Sequence, residues 1–426
     1  RLGVHLHRLQ LAAKGREEEF LSNPLNCLAL IRQLHSDWMH MEQLMQLPIG
    51  SKQMDFIRLA NEQRPQWGSV EGALLAMHRI KESYELDAID LAKGLIDGEQ
   101  TDAKLSALEC YDMGMLYYKA SRYELAAEWF TTARDLIRQN PDIYVMLGLK
   151  RKDISYILAR SFVNLANETL ARYVLQKEPE LSPRIEELLY YFRANIPKTE
   201  ENKQLTDFNG EYARLCGSSY KPKPTRLLCS YKSSPTPFLR LAPFQMEQLS
   251  RDPDIFVFHN VISSSEIALL ERATEPYLEP ALVLVDAETP LISKHRTVRS
   301  TWLPDPLYSY EVNHLIVRIQ RRIAHFTDLI IDYPLVEILK YGFGGHYSLH
   351  TDYLNYTVNY PDDRIATIVL YLSNVTSGGS TMFIDLDLAV KPEPGKALFW
   401  PSLRTDTFDF ETRTVHASCP VKIGTK

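Results

Sequence analysis

The sequence predicts a multidomain protein, with an all-α N-terminal part followed by a C-terminal α+β domain built on a β-sandwich or barrel. Two textures predict it. Apolar residues recur at helical spacing as far as about residue 192, and from residue 254 onward the chain turns to short β-rich runs punctuated by Pro and Gly. The length of 426 residues agrees, since at ~150 residues per domain it allows about three domains.

The composition, 45% hydrophobic and 24% charged, is that of an ordinary globular chain. A formal net charge of −6, from 48 basic and 54 acidic residues, argues against a protein that grips nucleic acid by its phosphates. No apolar run approaches the ~18–20 residues of a membrane span, and Ile365–Leu372 is strand-sized. The chain opens on Arg1 with no signal-peptide pattern, so the expectation is a fragment or a processed form.

Residues 1–100 read as a helical bundle or dimerisation module. One apolar stripe runs through Leu25, Leu28, Ile31, Leu34 and Trp38 and is lengthened by Met39, Met41, Leu44 and Met45. A second runs through Ala73, Leu75, Met77 and Ile80. Such stripes are core or a helix-pairing seam, which points to self-association rather than chemistry. The histidines here (His5, His7, His35, His40 and His78) are expected at surface or satisfied positions.

Residues 101–195 carry a repeat. Gly114, Tyr117, Ala126, Phe130 and Ala133 sit at the spacings of a tetratricopeptide helix pair, and Ala159, Phe162, Ala171, Leu175 and Pro183 form a weaker second copy. Tyrosines crowd this stretch, among them Tyr111, Tyr117, Tyr118, Tyr123, Tyr144, Tyr156 and Tyr173. Flat aromatic rings are the usual docking surface for polyproline II peptides. Tyr117 falls on a core position, whereas Tyr123 and Tyr156 are freer to line such a groove.

Residues 196–253 break the helical rhythm with Lys221-Pro-Lys-Pro224 and Ser233-Ser-Pro-Thr-Pro237, and read as a linker. The five cysteines are Cys27, Cys110, Cys216, Cys229 and Cys419, with no zinc-type CxxC pair. Cys216 and Cys229 flank the Lys/Pro/Ser-rich loop and could close it as a disulfide, the alternative being five reduced thiols. Sequons at Asn167, Asn355 and Asn374 lean towards a secretory compartment and a glycoprotein.

Residues 254–426 form the α+β domain. Strand-like runs fall at Ile255–His259, Ile365–Leu372, Thr381–Ile384 and Ala397–Trp400, with one helical segment at Glu311–His325. Its informative segment is Tyr341-Gly-Phe-Gly-Gly-His-Tyr-Ser-Leu-His350-Thr-Asp352-Tyr. His350 and Asp352 are two apart, so on a strand both side chains share a face. With the distant His416 they make two imidazoles and a carboxylate, the facial set of a non-haem Fe(II) oxygenase, although zinc hydrolases use the same ligands. Lys426, ten residues after His416 with Gly424 available for a turn, could hold the distal carboxylate of a dicarboxylate whose 2-oxo acid end chelates iron. A zinc hydrolase has no use for that lysine. His346, four before His350, reads as a polar neighbour.

These motifs together carry a resemblance. YGFGGHYSLHTDY, RIATIVLYLSNVTSGGSTMF, ALFW and HASCPVKIGTK, with the segments Asn23–Trp38, Gly72–Gly94 and Leu105–Lys177, resemble the α subunits of animal collagen prolyl 4-hydroxylases over nearly the whole chain. The resemblance implies a double-stranded β-helix (jelly-roll) catalytic domain using Fe(II), 2-oxoglutarate, O2 and L-ascorbate. Its reaction would be 4-hydroxylation of proline in X-Pro-Gly repeats of procollagen-like chains, in the endoplasmic reticulum lumen, beside protein disulfide isomerase as β subunit. On the matching positions His350, Asp352 and His416 would bind iron and Lys426 the 2-oxoglutarate C5 carboxylate. Tyr341 and Thr381 would lie near the 2-oxoglutarate pocket and Arg364 towards the peptide.

Two departures qualify the match. Family members continue past Lys426 through a tryptophan-bearing strand ending in another cysteine, so Cys419 is expected to lack a partner, and the chain to be truncated at both ends. Val415 replaces the usual Arg before the distal histidine. Two other readings stay open: a non-catalytic paralog that keeps the proline-rich-peptide groove, and a cytosolic prolyl hydroxylase of the oxygen-sensing kind.

Overall fold

The computed structural model describes residues 13–45, 51–62, 67–196, 205, 211–217, 227–284, 290–329, 331, 336–353 and 364–426. His5, His7 and the sequon at Asn355 lie outside the described residues. The chain divides into two compact units, residues 1–208 and 209–426.

The first unit is built almost wholly from helices. Helix α1 (Pro24–Arg32) starts where the Asn23 side chain accepts a hydrogen bond from the Leu25 amide and Pro24 presets the first turn. It buries Leu25 and Leu28 completely. Helix α2 (Trp67–Ser83) turns Val70, Ala73, Met77 and Ile80 inward, the 3.6-residue period in its plainest form. Helix α3 (Ala107–Lys119) opens on a reciprocal capping box between Ser106 and Glu109. Arg32 ties α1 to α3 through a buried ion pair with Asp112 at 2.7 Å.

Helices α4 (Tyr123–Leu136), α5 (Arg151–Asn164), α6 (Glu168–Gln176) and α7 (Ile185–Ala194) follow, and α3 packs on α4 as α5 packs on α6. Gly114 on α3 faces the Phe130 ring of α4 so closely that a Cβ there would lie 2.5 Å from it. Tyr117, Ala126, Phe130 and Ala133 are fully buried between these helices. Among the described residues, no helix is long and apolar enough to cross a membrane.

The second unit is a pair of antiparallel sheets with helices on one side. Its first sheet has the order β8-β12-β3-β2-β1, with β1 at Cys229–Lys232, β2 at Phe244–Arg251 and β3 at Asp254–Phe258. The other two members are β8 at Ala366–Leu370 and β12 at Ala397–Pro401. The second sheet has the order β7-β13-β10-β11, with β7 at Tyr347–His350, β10 at Thr381–Phe383, β11 at Leu388–Val390 and β13 at His416–Ser418. A third sheet joins β4 (Glu279–Pro280), β5 (Arg299–Leu303) and β6 (Val336–Lys340), and β9 (Ser377–Gly378) pairs with β14 (Val421–Ile423).

Alternation along β3 shows how the core divides. Ile255 and Val257 point between the two large sheets, where they meet Tyr371, Phe383, Leu398 and Trp400. Phe256 and Phe258 point the other way, onto a layer that includes helices α9 (Ser264–Thr274) and α10 (Tyr310–Thr327). Glu266 and Arg322 pin those helices together at 2.9 Å.

Two expectations change here. Residues 229–251, read as linker, supply the edge strand β1 and, between it and β3, the strand β2 of the first sheet. Strand β1 is mostly exposed, as an edge strand is, and β2 is half-buried, its short apolar alternation of Phe244 and Met246 broken by a register shift between Gln248 and Ser250. The loop disulfide between Cys216 and Cys229 is absent. Cys216, buried at the end of α8 (Glu211–Cys216), is bonded instead to Cys419, 203 residues away, with their Cα atoms 5.6 Å apart. Cys419 therefore does have a partner, and Cys229 is a free, exposed thiol on β1. The helix α8 packs on β11 and so carries Cys216 to the second sheet, which the loop's sequence cannot reveal.

Candidate metal centre

Strands β7 and β13 are antiparallel neighbours, and His350 stands directly opposite His416. Their ring centroids are 4.2 Å apart. Asp352 lies just past the end of β7, in a bend rather than on the strand. It still turns to the same place: His350 Nε2 is 3.8 Å from Asp352 Oδ1 and His416 Nε2 is 3.6 Å from Oδ2. One ligand atom from each of the three falls within 4.8 Å of the others.

The imidazoles are aimed by the backbone. His350 Nδ1 lies 2.8 Å from the Ser348 carbonyl and His416 Nδ1 lies 3.0 Å from the Thr414 carbonyl. A carbonyl only accepts, so each Nδ1 carries the proton and each Nε2 keeps a free lone pair towards Asp352. The carboxylate is held in turn, accepting a 2.6 Å bond from Thr367 on β8. Arg364 reaches within 3.8 Å of it from a half-exposed position.

The electrostatics suit a cation. Burial lowers the pKa of His350, reinforced by His416, and burial likewise lowers His416, so both rings are neutral near pH 7. Burial alone would raise Asp352. The pull of His416 and His350, the Thr367 hydroxyl and Arg364 more than offsets it and leaves the carboxyl below its ordinary range. Two neutral imidazoles and one carboxylate converging this closely fit a divalent ion such as Fe(II) or Zn(II). Trp400 closes the back of the site, its ring edge-on to His416 at 4.6 Å.

Next to this centre lies a second cluster. Lys426 exchanges two backbone hydrogen bonds with Tyr341, at 2.8 and 3.0 Å, which fixes its position. Its ammonium donates to Ser418 Oγ at 2.8 Å and lies over the rings of Tyr341 and Tyr371 at 5.2 and 5.7 Å. Tyr371 donates to Thr381 at 2.8 Å, and Thr381 pairs with Ser418 across β10 and β13. Lys426, Tyr341 and Thr381 are thus brought together. Ser418 shares a face of β13 with His416, two residues away, and that spacing spans about 6.6 Å at ~3.3 Å per residue. A five-carbon dicarboxylate can bridge such a gap.

The aromatic candidates lie in the first unit. Tyr123 is edge-on to Tyr118 at 5.5 Å, and Tyr156 is edge-on to Phe192 at 4.9 Å. Both are half-buried. Tyr117 is fully buried, its hydroxyl 3.1 Å from His78. His346 is buried, bonded to Thr297 at 2.8 Å, and is not among the three clustered donors. Sequence reading missed Thr367, Tyr371 and Ser418. Only Ser418 carried a usable signal, its two-residue offset from His416 on a strand.

Comparison with known proteins places both ends of the chain. Residues 4–98 match the family described as "Prolyl 4-Hydroxylase alpha-subunit, N-terminal region", and residues 336–426 match the 2OG-Fe(II) oxygenase superfamily. Prolyl 4-hydroxylase subunit alpha-2 of Caenorhabditis elegans is 30% identical, over 99% of this chain and 82% of that protein. Human prolyl 4-hydroxylase subunit alpha-1 is 28% identical, over 99% of this chain and 84% of that protein. A solved structure of viral collagen prolyl hydroxylase from Paramecium Bursaria Chlorella virus-1 is 26% identical over 40% of this chain and 91% of that one. The TM-score of that match is 0.32.

Proposed function

This chain belongs to the prolyl 4-hydroxylase alpha-subunit family, and from that premise we propose that it hydroxylates C4 of proline in X-Pro-Gly repeats of procollagen-like chains. It is an enzyme of the 2-oxoglutarate and Fe(II) oxygenase type. The observation that carries the reading is the convergence of His350, Asp352 and His416, with both Nδ1 atoms already committed to backbone carbonyls.

In this proposal the three side chains hold Fe(II) and leave room on it for co-substrates. Bound there, iron with 2-oxoglutarate and O2 would supply the two-electron oxidation that puts a hydroxyl on an unactivated carbon. One oxygen atom would go to the proline and the other to succinate, with release of CO2. The chain's own work is orientation. Lys426 anchors the C5 carboxylate, with Tyr341 and Thr381 shaping the pocket around it. Arg364, half exposed beside Asp352, faces the incoming peptide. L-Ascorbate completes the cofactor set as reductant.

The remaining assignments follow the same premise. Residues 1–100 serve self-association, and residues 101–195 act as a tetratricopeptide-like domain in which Tyr123 and Tyr156 meet proline-rich substrate. The oxygenase domain, with its double-stranded β-helix, starts near residue 209. The partner is protein disulfide isomerase as β subunit, and the compartment is the endoplasmic reticulum lumen. Supporting that compartment are the Cys216–Cys419 disulfide and the exposed sequon asparagines Asn167 and Asn374.

The test is direct. The chain, co-expressed with protein disulfide isomerase, is given Fe(II), 2-oxoglutarate, ascorbate and a Pro-Pro-Gly repeat peptide, and the peptide is weighed by mass spectrometry. One added oxygen per modified proline, dependent on 2-oxoglutarate and lost in His350→Ala, is the expected result. An unmodified peptide in the presence of bound Fe(II) contradicts the substrate assignment.

A further inference from the structure

Tyr347 precedes His350 by three residues, a spacing that sends two side chains to opposite faces of a regular strand. Strand β7 is not regular there. Tyr347 pairs with Ser418 and His350 pairs with His416, so three steps on β7 match two on β13. That extra residue is a β-bulge, a device that re-aims a side chain. It brings both rings to one face, where they stack with centroids 3.5 Å apart and planes inclined by 16°.

The tyrosine is itself held. Arg296 forms a backbone bridge with Tyr347, and its guanidinium lies over the phenol ring at 5.1 Å. Glu337 on β6 fixes that guanidinium at 2.8 Å, and the Leu282 carbonyl accepts from it at 3.1 Å. Both charged side chains are mostly buried, at 13% and 19% exposure, so the pair is shielded from screening. The guanidinium, the phenol and the imidazole therefore form one chain of contacts ending on a metal-centre histidine.

We propose that Tyr347 and Arg296 are positioning residues for the metal centre. An imidazole tied only by Nδ1 to the Ser348 carbonyl can still swing about that bond. A flat ring at stacking distance removes the swing and keeps Nε2 directed at the ion, while Arg296 keeps the flat ring in place. The stack requires the aromatic face of Tyr347 and makes no use of its hydroxyl. This inference rests on the reading of His350, Asp352 and His416 as the iron site.

The test measures metal binding before turnover. The full chain and its variants are titrated anaerobically with Fe(II) against a competing chelator, without peptide. Addition of 2-oxoglutarate then reports its charge-transfer absorption. Tyr347→Leu should weaken Fe(II) binding about 10- to 100-fold, the usual effect of losing an outer-shell support. Tyr347→Phe should stay within about twofold of the parent, with an unshifted band. Arg296→Met, which keeps most of the side chain's bulk, should fall between them. Thermal unfolding is followed in parallel, and if Tyr347→Leu does not fold, Arg296→Met and Tyr347→Phe decide.

A parent-like affinity in both Tyr347→Leu and Arg296→Met overturns the inference while leaving the iron site standing. So does a loss in Tyr347→Phe as large as that in Tyr347→Leu, which would make the hydroxyl the working group. Failure of the parent chain to bind Fe(II) overturns the iron reading and this inference together.

Discussion

Lys426 donates a 2.8 Å hydrogen bond to Ser418, two residues along the strand from His416. One strand face thus presents the candidate metal ligand and the anchor of a neighbouring ammonium. That relationship separates a dicarboxylate-using oxygenase from a site that merely binds a metal. It predicts that Lys426→Ala raises the KM for 2-oxoglutarate by roughly 10- to 100-fold, as expected for a lost hydrogen bond to a charged group of ~1.5–3 kcal/mol. Steady-state kinetics with 2-oxoglutarate varied at saturating peptide checks it. An unchanged KM removes Lys426 from the pocket.

The same ammonium gives a pH dependence. Burial draws the Lys426 pKa down to about 7. An unfolded lysine titrates near ~10.4, so between those values the unfolded chain holds a proton that the folded chain has shed. Stability should therefore rise with pH from about 7 towards ~10. Melting temperatures of the parent and Lys426→Met across that range test this, since the variant lacks that contribution. A carboxylate bound at the ammonium restores its charge, so 2-oxoglutarate binding at pH 8 should take up a proton. Calorimetry in buffers of different ionisation enthalpy reads that uptake directly.

The cross-link between Cys216 and Cys419 makes a third prediction. Mapping of non-reduced peptides should find these two joined and Cys229 open to alkylation. Replacing both bonded cysteines by Ala should cost about 2–5 kcal/mol of stability, the common range for a native disulfide. A Cys216–Cys229 peptide in the digest contradicts the pairing.

Packing in the first unit makes a fourth. A Cβ at Gly114 would press on the Phe130 ring at 2.5 Å, so Gly114→Ala should destabilise the fold by about 1–3 kcal/mol. Urea unfolding of the isolated variant measures it, and an unchanged midpoint would show that α3 and α4 can separate at no expense.

How much of this was legible depended on whether a feature repeats along the chain. The stripes through Leu25 and Leu28 and through Met77 and Ile80 announce buried helix faces, because helical periodicity is local. The α10 helix and strands such as β8 and β12 were visible for the same reason. His350, Asp352 and His416 stood out through residue type and spacing, although Asp352 reaches the site from a bend rather than from the strand. The stack of Tyr347 on His350 was hidden, because it depends on a bulge that breaks the two-residue period. Strand β1 was hidden by exposure, β2 by an irregularity that interrupts its alternation, and Cys419 by its distance in sequence from Cys216. Those depend on tertiary contacts that no local pattern encodes.

The measurement closest to the central claim follows the oxygen atoms. The chain with protein disulfide isomerase, Fe(II), 2-oxoglutarate and ascorbate would be given a Pro-Pro-Gly repeat peptide under isotopically heavy dioxygen. The account predicts one heavy atom in each new hydroxyproline and one in each succinate, formed in equal amounts and abolished by His416→Ala. Hydroxyproline carrying oxygen from water, or hydroxylation that survives His416→Ala, would contradict it.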